Sequence, residues 1–431
     1  MSGSNPDGQI LTGFGKVDIS PAAHESFEIY DPIYFRALHV RQGDRQVTFL
    51  AADLFLFDDY CFDMMAEDLA DTDVDPAWIL PGASHMGTGP TLFQFYVNQP
   101  TEALMEFGNE ARYAQAAAEA VRMARADVSP ARVAVGTGCA ENGLQYNRRA
   151  HDKHGNLRMV SLTEFPKPPE DLVYDAVDLQ VGVVRFDRDG GRPIALTNFG
   201  CHALALWDFR GNVSADYPGV VTRELAERGI DGLFIPGALG NVHPVRETDD
   251  PCGRIGRSLA GTALEIYDGL APQADVELGR FKRTIQIARQ PVAEVNAARK
   301  EWEANPPAAE GLARYEYWLA RTYRDQPNCA FDLHAVVLGD SALIHVPGEP
   351  FVETSFAIRE AAAFERVMLL CNPCPEVGYL PTERARIEGD GEVLFAPLEM
   401  ESEAQIREAA IALLKEAWRE SDHPPVTPIP G

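Results

Sequence analysis

The amino-acid sequence predicts an α/β protein in which mixed β-sheets are flanked by helices. Short apolar runs alternate with segments of helical periodicity along all 431 residues, and no Ser/Pro-rich linker divides them. Hydrophobic residues make up 45% of the chain, which is ample for a large core. We therefore expect a single domain that spans residues 1–431.

The predicted strands are short runs rich in β-branched and aliphatic residues. In chain order they are Val47–Leu54, Trp78–Leu80, Arg132–Gly136, Leu179–Phe186, Ile194–Phe199, Gly232–Ile235, Ala335–Leu338, Ala342–Val346 and Val367–Cys371. Because helical segments separate some of these runs, both strand directions are expected in the sheets.

The predicted helices repeat their apolar residues at intervals of three and four. They are Glu110–Ala126, Tyr217–Arg228, Gly256–Asp268, Val292–Asp325, Phe351–Ala363 and Ala404–Glu420. Pro306 and Pro307 interrupt the fourth of them. The polar, Pro-rich segment His151–Tyr174 is expected to be a surface loop or lid.

Charge and composition exclude several classes of partner. The formal net charge is −27, with 65 acidic against 38 basic residues, and such a chain gains no counterion release from nucleic acid or anionic membranes. Neither a leader pattern at the amino terminus nor a membrane-length apolar run is found. The odd number of cysteines, seven, is typical of reduced thiols. We expect a cytoplasmic protein without stable membrane association, which could form a homo-oligomer.

Four apolar runs end in a Gly-containing turn that carries a titratable residue: His85, His202, His243 and Glu349. In α/β proteins, chemistry collects at the turns that follow strands, and three imidazoles with one carboxylate suit a zinc ion. The four residues are far apart in sequence and form no local ligand motif, so their spacing leaves open whether they meet. Taken alone, each histidine is more often a hydrogen-bonded structural residue.

Six short motifs point to a known family. In order they are GFGKVDISP from Gly13, ASHMGTGP from Ala83, NFGCH from Asn198, SADYPG from Ser214, PGEPF from Pro347 and GYLPT from Gly378. Together they resemble the catalytic domain of the neutral (non-lysosomal) ceramidase family and cover nearly the whole chain. The family's carboxyl-terminal immunoglobulin-like domain and its secretion signal have no counterpart in this sequence.

The resemblance implies a zinc amidase, because members of that family hold one Zn²⁺ with two histidines, a glutamate and a tyrosine. Motif by motif, these ligands are His85, His202, Glu349 and Tyr379. Such a site can lower the pKa of water from 15.7 to about 7, which produces a nucleophile at neutral pH. The Tyr379 oxygen is expected either to complete the metal shell or to stabilise the developing oxyanion. Arg148 plausibly matches the family's substrate-binding arginine.

Two positions depart from the family pattern. The ceramidase motif T-H-T-H-S-G-P carries a second histidine where this chain has Gly87, and a turn that ends in a functional serine there reads Gly240-Asn241-Val242-His243-Pro244 here. His243 is therefore a candidate general base, second-metal ligand or substrate-binding group. Asp53 and Asp216 are alternative candidates for a carboxylate that orients a ligand histidine, and both are also plausible helix caps.

From these observations we predict a zinc-dependent hydrolase that cleaves an amide bond in a small, soluble, acylated metabolite. An esterase or lactonase could use the same centre, because activated water does not itself choose between nitrogen and oxygen leaving groups. A third alternative is a metal-binding or ligand-binding homologue in which the changes at Gly87 and His243 have altered catalysis.

Overall fold

A computed structural model describes residues 8–90, 110–160, 168–206, 212–290 and 327–421. The predicted helix Val292–Asp325 lies outside the described residues. The strands are β1 Leu11–Asp18, β2 Tyr34–Gln42, β3 Arg45–Ala52, β4 Ile79–Ala83, β5 Ser129–Cys139, β6 Gln145–Asn147, β7 Arg149–His151, β8 Leu157–Met159, β9 Val173–Tyr174, β10 Gln180–Arg188, β11 Ile194–Phe199, β12 Asp231–Pro236, β13 Val242–Pro244, β14 Leu278–Ala288, β15 Asn328–Leu338, β16 Ser341–Pro347, β17 Glu349–Pro350, β18 Arg366–Asn372 and β19 Tyr379–Leu380.

The helices of the described residues are α1 Asp59–Asp68, α2 Glu110–Ala126, α3 Asp216–Glu227, α4 Pro251–Gly269, α5 Val352–Ala361, α6 Glu383–Glu388 and α7 Ser402–Glu420. Short 3₁₀ turns cover Pro76–Trp78 and Gly391–Phe395. None of the helices in this part of the chain is both long and apolar enough to cross a membrane.

Two large sheets organise the molecule, and the predicted α/β class is confirmed. The first has eight strands in the order β12-β11-β10-β5-β1-β2-β3-β4, and the second has four in the order β14-β15-β16-β18. The pairs β3/β4, β11/β12 and β16/β18 are parallel, whereas the other neighbours in these two sheets are antiparallel. The mixture of strand directions is the one that the sequence predicted.

The two sheets pack face to face, and helices cover their outer faces. Leu196 of β11 lies in one buried cluster with Leu343 and Leu370 of the four-stranded sheet. The neighbouring Ala195 points to the opposite face and lies in the cluster that contains Tyr113 and other residues of α2, α3 and α4. This alternation follows from the two-residue period of a strand and gives four layers, with α7 on the outer face of the smaller sheet.

Close approaches of the backbone explain two glycines of the first motif. A Cβ on Gly15 would lie 2.0 Å from the carbonyl oxygen of Ala120, and one on Gly13 would lie 2.0 Å from that of Ala124. Both carbonyls belong to α2, which therefore packs directly on the backbone of β1. Only glycine allows this approach without displacing the helix.

The eight-stranded sheet curls so that its first and last strands approach each other. A Cβ on Gly82 of β4 would lie 2.6 Å from Cγ2 of Ile235 in β12. The turns that follow β4 and β11 therefore reach the same region of the molecule. The turn after β16 arrives there from the second sheet, because β18 pairs with β16 and packs against both β4 and β12.

The sequence prediction was wrong about part of the segment His151–Tyr174. Two short strands within it, β8 and β9, pair with β7 in a small antiparallel sheet of order β8-β7-β9. These strands have only two or three residues each, which is too short to produce a recognisable alternation. Strands β1, β2 and β14 and helix α1 were also not predicted. In β1 glycines interrupt the apolar pattern, and in β14 polar residues interrupt it, with only three of the eleven residues buried.

Candidate metal centre

His85 stands in a strained turn directly after β4. Its φ of 61° lies in the left-handed region, which costs a residue other than glycine roughly 1–2 kcal/mol. The backbone N–H of His85 donates to the carbonyl of Leu54 at 3.0 Å, and its ring Nδ1 lies 2.6 Å from the carbonyl oxygen of Phe55. These contacts compensate for the strain and aim Nε2 away from the backbone.

His202 is held in a similar way after β11. Its backbone N–H donates to the carbonyl of Val242 at 3.2 Å, and its Nδ1 lies 2.9 Å from the same oxygen. The Tyr217 hydroxyl donates to the carbonyl of the preceding Cys201 at 2.6 Å. Nδ1 must carry the ring proton to bond a carbonyl, so Nε2 of His202 presents a lone pair.

Glu349 and Tyr379 are brought together by a short parallel ladder. Gly348, with φ of 84°, turns the chain sharply after β16, and β17 then pairs with β19 so that Glu349 lies opposite Tyr379. A Cβ at position 348 would lie 2.5 Å from Cγ1 of Val377, so glycine is required there for space as well as for conformation.

The four predicted ligands converge in a buried cluster. Oε2 of Glu349 lies 3.4 Å from Nε2 of His85 and 3.3 Å from Nε2 of His202. The ligand atoms of these three residues all lie within 4.8 Å of one another. The Tyr379 hydroxyl lies 3.4 Å from Nε2 of His202. The exposed fractions of His85, His202 and Glu349 are 2%, 1% and 4%.

The donor set suits a divalent cation. Both imidazoles present Nε2 lone pairs to a carboxylate oxygen, Oε2 of Glu349, that is buried and has no hydrogen-bond partner among the described residues. Three acceptors that face one another at these distances are electrostatically unfavourable, and a cation at their centre would satisfy all of them. Two imidazoles and a carboxylate are typical ligands of Zn²⁺ in catalytic sites.

The protonation states also suit metal binding. Burial lowers the pKa of His202, and the nearby His85 and Arg148 add to this against the raising effect of Glu349, so that its pKa is about 4. Burial alone would raise the pKa of Glu349, but the charge of His85 and hydrogen bonds from both rings more than offset this when the rings are protonated, so its pKa is well below the usual range. At neutral pH both residues are therefore in the deprotonated forms that bind metals.

His243 lies beside His202 on β13, which pairs with β6. The two rings are nearly perpendicular, with centroids 5.1 Å apart. Nε2 of His243 accepts a hydrogen bond from Nη1 of Arg148 at 2.9 Å, whereas its Nδ1 is buried and has no partner in the part of the chain that the structure describes. Burial, followed by the positive charge of Arg148, holds the pKa of His243 well below 6.5. The ring is therefore neutral with its proton on Nδ1.

Arg148 completes the cluster. Its Nε donates to Oε1 of Glu392 at 2.5 Å and its Nη2 donates to the carbonyl of Gly240 at 2.7 Å. The guanidinium carbon lies 5.1 Å from the centroid of the Tyr379 ring. Burial disfavours the charge, but Glu392 and Tyr379 outweigh it and raise the pKa of Arg148.

The prediction that Asp53 or Asp216 orients a ligand histidine was wrong. Asp53 pairs with Nη1 of Arg36 at 2.6 Å, and Asp216 accepts hydrogen bonds from the backbone N–H groups of Ala205 and Leu206. Neither carboxylate binds His85 or His202, because backbone carbonyls occupy both Nδ1 atoms. Asp216 instead holds the loop that follows His202.

Sequence reasoning missed Asn372 and Glu392. The side chain of Asn372 accepts from the N–H of Ala83 and donates to the carbonyl of Phe57, which joins β18 to the turn before His85. Glu392 binds Arg148 from a 3₁₀ turn. A single asparagine and a single glutamate in polar surroundings produce no motif, so no signal in the sequence identified them.

The comparison with known proteins agrees with this architecture. Neutral ceramidase from Pseudomonas aeruginosa matches 98% of this chain and 76% of its own, with a TM-score of 0.71 and 17% identity. A second structure, described as ceramidase complexed with C2, matches 98% of this chain and 77% of its own, with a TM-score of 0.71 and 16% identity. No family model and no curated protein matches the sequence. The chain has the fold of neutral ceramidase, as the six motifs predicted.

Proposed function

We propose that this protein is a zinc-dependent hydrolase that cleaves the amide bond of a small acylated molecule. The observation that carries the proposal is the buried cluster in which two imidazole Nε2 atoms face a carboxylate oxygen at 3.3–3.4 Å. The fold adds support, because two solved structures that resemble it are named as ceramidases.

His85, His202, Glu349 and Tyr379 would hold the ion. A zinc ion in such a ligand set acts as a Lewis acid and activates water near neutral pH. The carbonyls of Phe55 and Val242 keep both imidazoles in the tautomer that binds a metal.

Arg148 would bind the acyl oxygen of the substrate. A guanidinium has five N–H groups, and four partners within the described ranges use them: Glu392, His243, the Gly240 carbonyl and the Tyr379 side chain. The remaining donor would stabilise negative charge on the acyl oxygen in the transition state. Because the other donors are already engaged, the guanidinium need not reorganise during the reaction.

We propose that His243 orients Arg148 and offers its Nδ1–H to the substrate. The unpartnered, buried Nδ1 favours this role, since an N–H without an acceptor is unfavourable until a ligand supplies one. Its assignment as general base stays a prediction: Nε2 would first have to be released by Arg148.

The substrate is proposed to be soluble and the protein cytoplasmic, in keeping with the net charge of −27, which disfavours docking on anionic lipid. Nucleic acid is disfavoured as a partner for the same reason.

Matched substrates with one acyl group, as amide and as ester, separate the amidase from the esterase and lactonase alternatives. A higher kcat/KM for the ester would favour those alternatives.

Removal of the metal tests the mechanism. A chelator is expected to abolish hydrolysis and to lower the melting temperature, because ligand binding at a thousand times its Kd stabilises a protein by about 4 kcal/mol. Glu349→Gln is expected to reduce zinc affinity by more than about 100-fold. Glu353→Gln is the control, since that carboxylate binds Asn241 at 2.9 Å and not the cluster. Full hydrolysis by metal-free protein would refute the mechanism.

A further inference from the structure

The carboxylate of Glu392 lies between two arginines that are adjacent in sequence. Oε1 accepts from Nε of Arg148 at 2.5 Å, and Oε2 accepts from Nη1 of Arg149 at 3.1 Å. The Glu392 side chain has no exposed surface, and that of Arg149 is 2% exposed. A buried carboxylate is unfavourable unless its oxygens are paired, and here each oxygen has its own guanidinium.

The two arginines depend on Glu392 to different degrees. Arg149 also pairs with Oε2 of Glu388 at 3.1 Å and donates to the carbonyls of Ala385 and Gly389. Within the described ranges, Arg148 forms an ion pair with Glu392 alone. Loss of the Glu392 charge would therefore leave Arg149 anchored, but would leave Arg148 without a carboxylate.

The contact at Nε also determines where the two Nη atoms of the Arg148 guanidinium lie. A guanidinium is planar and rigid, so the position of Nε and the plane of the group fix both Nη atoms. In that plane Nη1 meets Nε2 of His243, Nη2 meets the Gly240 carbonyl, and the group covers the Tyr379 ring. The Glu392 carboxylate therefore contacts the Nε edge of the guanidinium, which the partners of Nη1 and Nη2 do not occupy.

We propose that Glu392 is a positioning residue that sets the plane of the Arg148 guanidinium over Tyr379 and acts on the substrate only through Arg148. The effect on turnover rests on the proposed function. The placement of the guanidinium does not, because it is a property of the chain that can be measured without substrate.

A chemical complementation experiment tests the placement. Arg148→Ala removes the guanidinium and leaves Glu392, His243 and the Gly240 carbonyl around the vacated space. Millimolar guanidinium chloride is expected to raise the melting temperature of this variant relative to equal sodium chloride. The double variant R148A/E392Q is expected to lose this shift, whereas R148A/E388Q is expected to keep it. The two double variants match in charge, since each leaves Arg149 with one carboxylate.

Equal stabilisation of R148A/E392Q and R148A/E388Q by guanidinium would overturn the proposal. Failure of R148A itself to respond would also overturn it, because Glu392 would then not define a guanidinium site.

Kinetics of the single variants test the consequence for turnover. Glu392→Gln is expected to lower kcat/KM by about 100-fold, mainly through kcat, since misplacing a catalytic group by 1 Å has an effect of that size. Glu388→Gln is expected to stay close to the unaltered protein, and zinc content should be the same in all three. Equal losses in both variants would assign Glu392 a merely structural role. Absence of turnover in the unaltered protein would count against the proposed function, while the guanidinium result would still decide the placement.

Discussion

At the scale of single residues, burial keeps several imidazoles neutral. Burial lowers the pKa of His39 and His334 to about 4 and that of His345 to about 3. His345 donates through Nε2 to the carbonyl of Pro81 at 2.7 Å, and its Nδ1 is buried without a partner. These histidines lie outside the candidate metal centre, so their effect on stability can be studied without disturbing it.

The lowered pKa of His345 predicts that this residue destabilises the folded protein as pH falls. Below about pH 6.5 the unfolded chain binds a proton that the folded chain cannot bind until about pH 3, so this residue destabilises the fold increasingly as pH falls through that window. Relative to His345→Gln, the unaltered protein is expected to lose about 2 kcal/mol of unfolding free energy between pH 7 and pH 5.

Urea unfolding at several pH values measures this difference. The comparison must be between the two proteins, because Asp59 and Asp216 have their pKa raised to about 6, chiefly by burial, and act in the opposite direction. Parallel curves for the unaltered protein and His345→Gln between pH 7 and pH 5 would show that His345 does not titrate as proposed.

At the scale of elements, most of the strands of five or more residues and most of the described helices were predictable because each carries its own period. Helix Glu110–Ala126 and strand Ile194–Phe199 have the predicted bounds. The strand predicted at Trp78–Leu80 begins one residue later, because Trp78 closes a 3₁₀ turn. Elements with no such period, such as β17 and β19, form only because tertiary contacts pair them.

The contact between β1 and α2 predicts a severe effect of a small substitution. Gly15→Ala would place Cβ 2.0 Å from the Ala120 carbonyl oxygen, so the helix must move or the strand must bend. We expect a loss of about 1–3 kcal/mol or more in unfolding free energy, as is usual for overpacking.

Gly261→Ala is the matched control. Position 261 is exposed on α4, and a Cβ there meets nothing within 4 Å. The higher helix propensity of alanine should stabilise the protein by about 0.5–1 kcal/mol. Thermal unfolding of both variants measures the two effects, and a neutral Gly15→Ala would contradict direct packing of α2 on β1.

At the scale of the whole molecule, the cluster depends on how the two sheets meet. Asn372 of β18 accepts from the Ala83 N–H before His85, and its own carbonyl accepts from the N–H of Gly348 before Glu349 at 2.7 Å. One residue of the four-stranded sheet thus links the turns that carry two candidate ligands.

Asn372→Ala is therefore expected to reduce zinc affinity as well as stability. The buried N–H of Ala83 would lose its acceptor, which costs about 1–3 kcal/mol. Asn198→Ala provides the control, because Asn198 also joins the sheets, through the carbonyls of Ile235 and Leu369. Both variants should unfold at lower temperature, and Asn372→Ala should show the larger loss of zinc affinity by titration. A larger loss in Asn198→Ala would contradict this role for Asn372.

The sequence by itself determined the fold class and most of the longer elements, and it identified His85, His202, Glu349, Tyr379, His243 and Arg148 as candidate site residues. It could do so because periodicity and turn chemistry are local, and because six motifs stand in the order of one family. Only the tertiary structure decided that these side chains meet, that backbone carbonyls and not Asp53 or Asp216 orient the imidazoles, and that Glu392 holds Arg148. Those contacts join residues that are tens to hundreds of positions apart, and the curl and stacking of the two sheets bring them together.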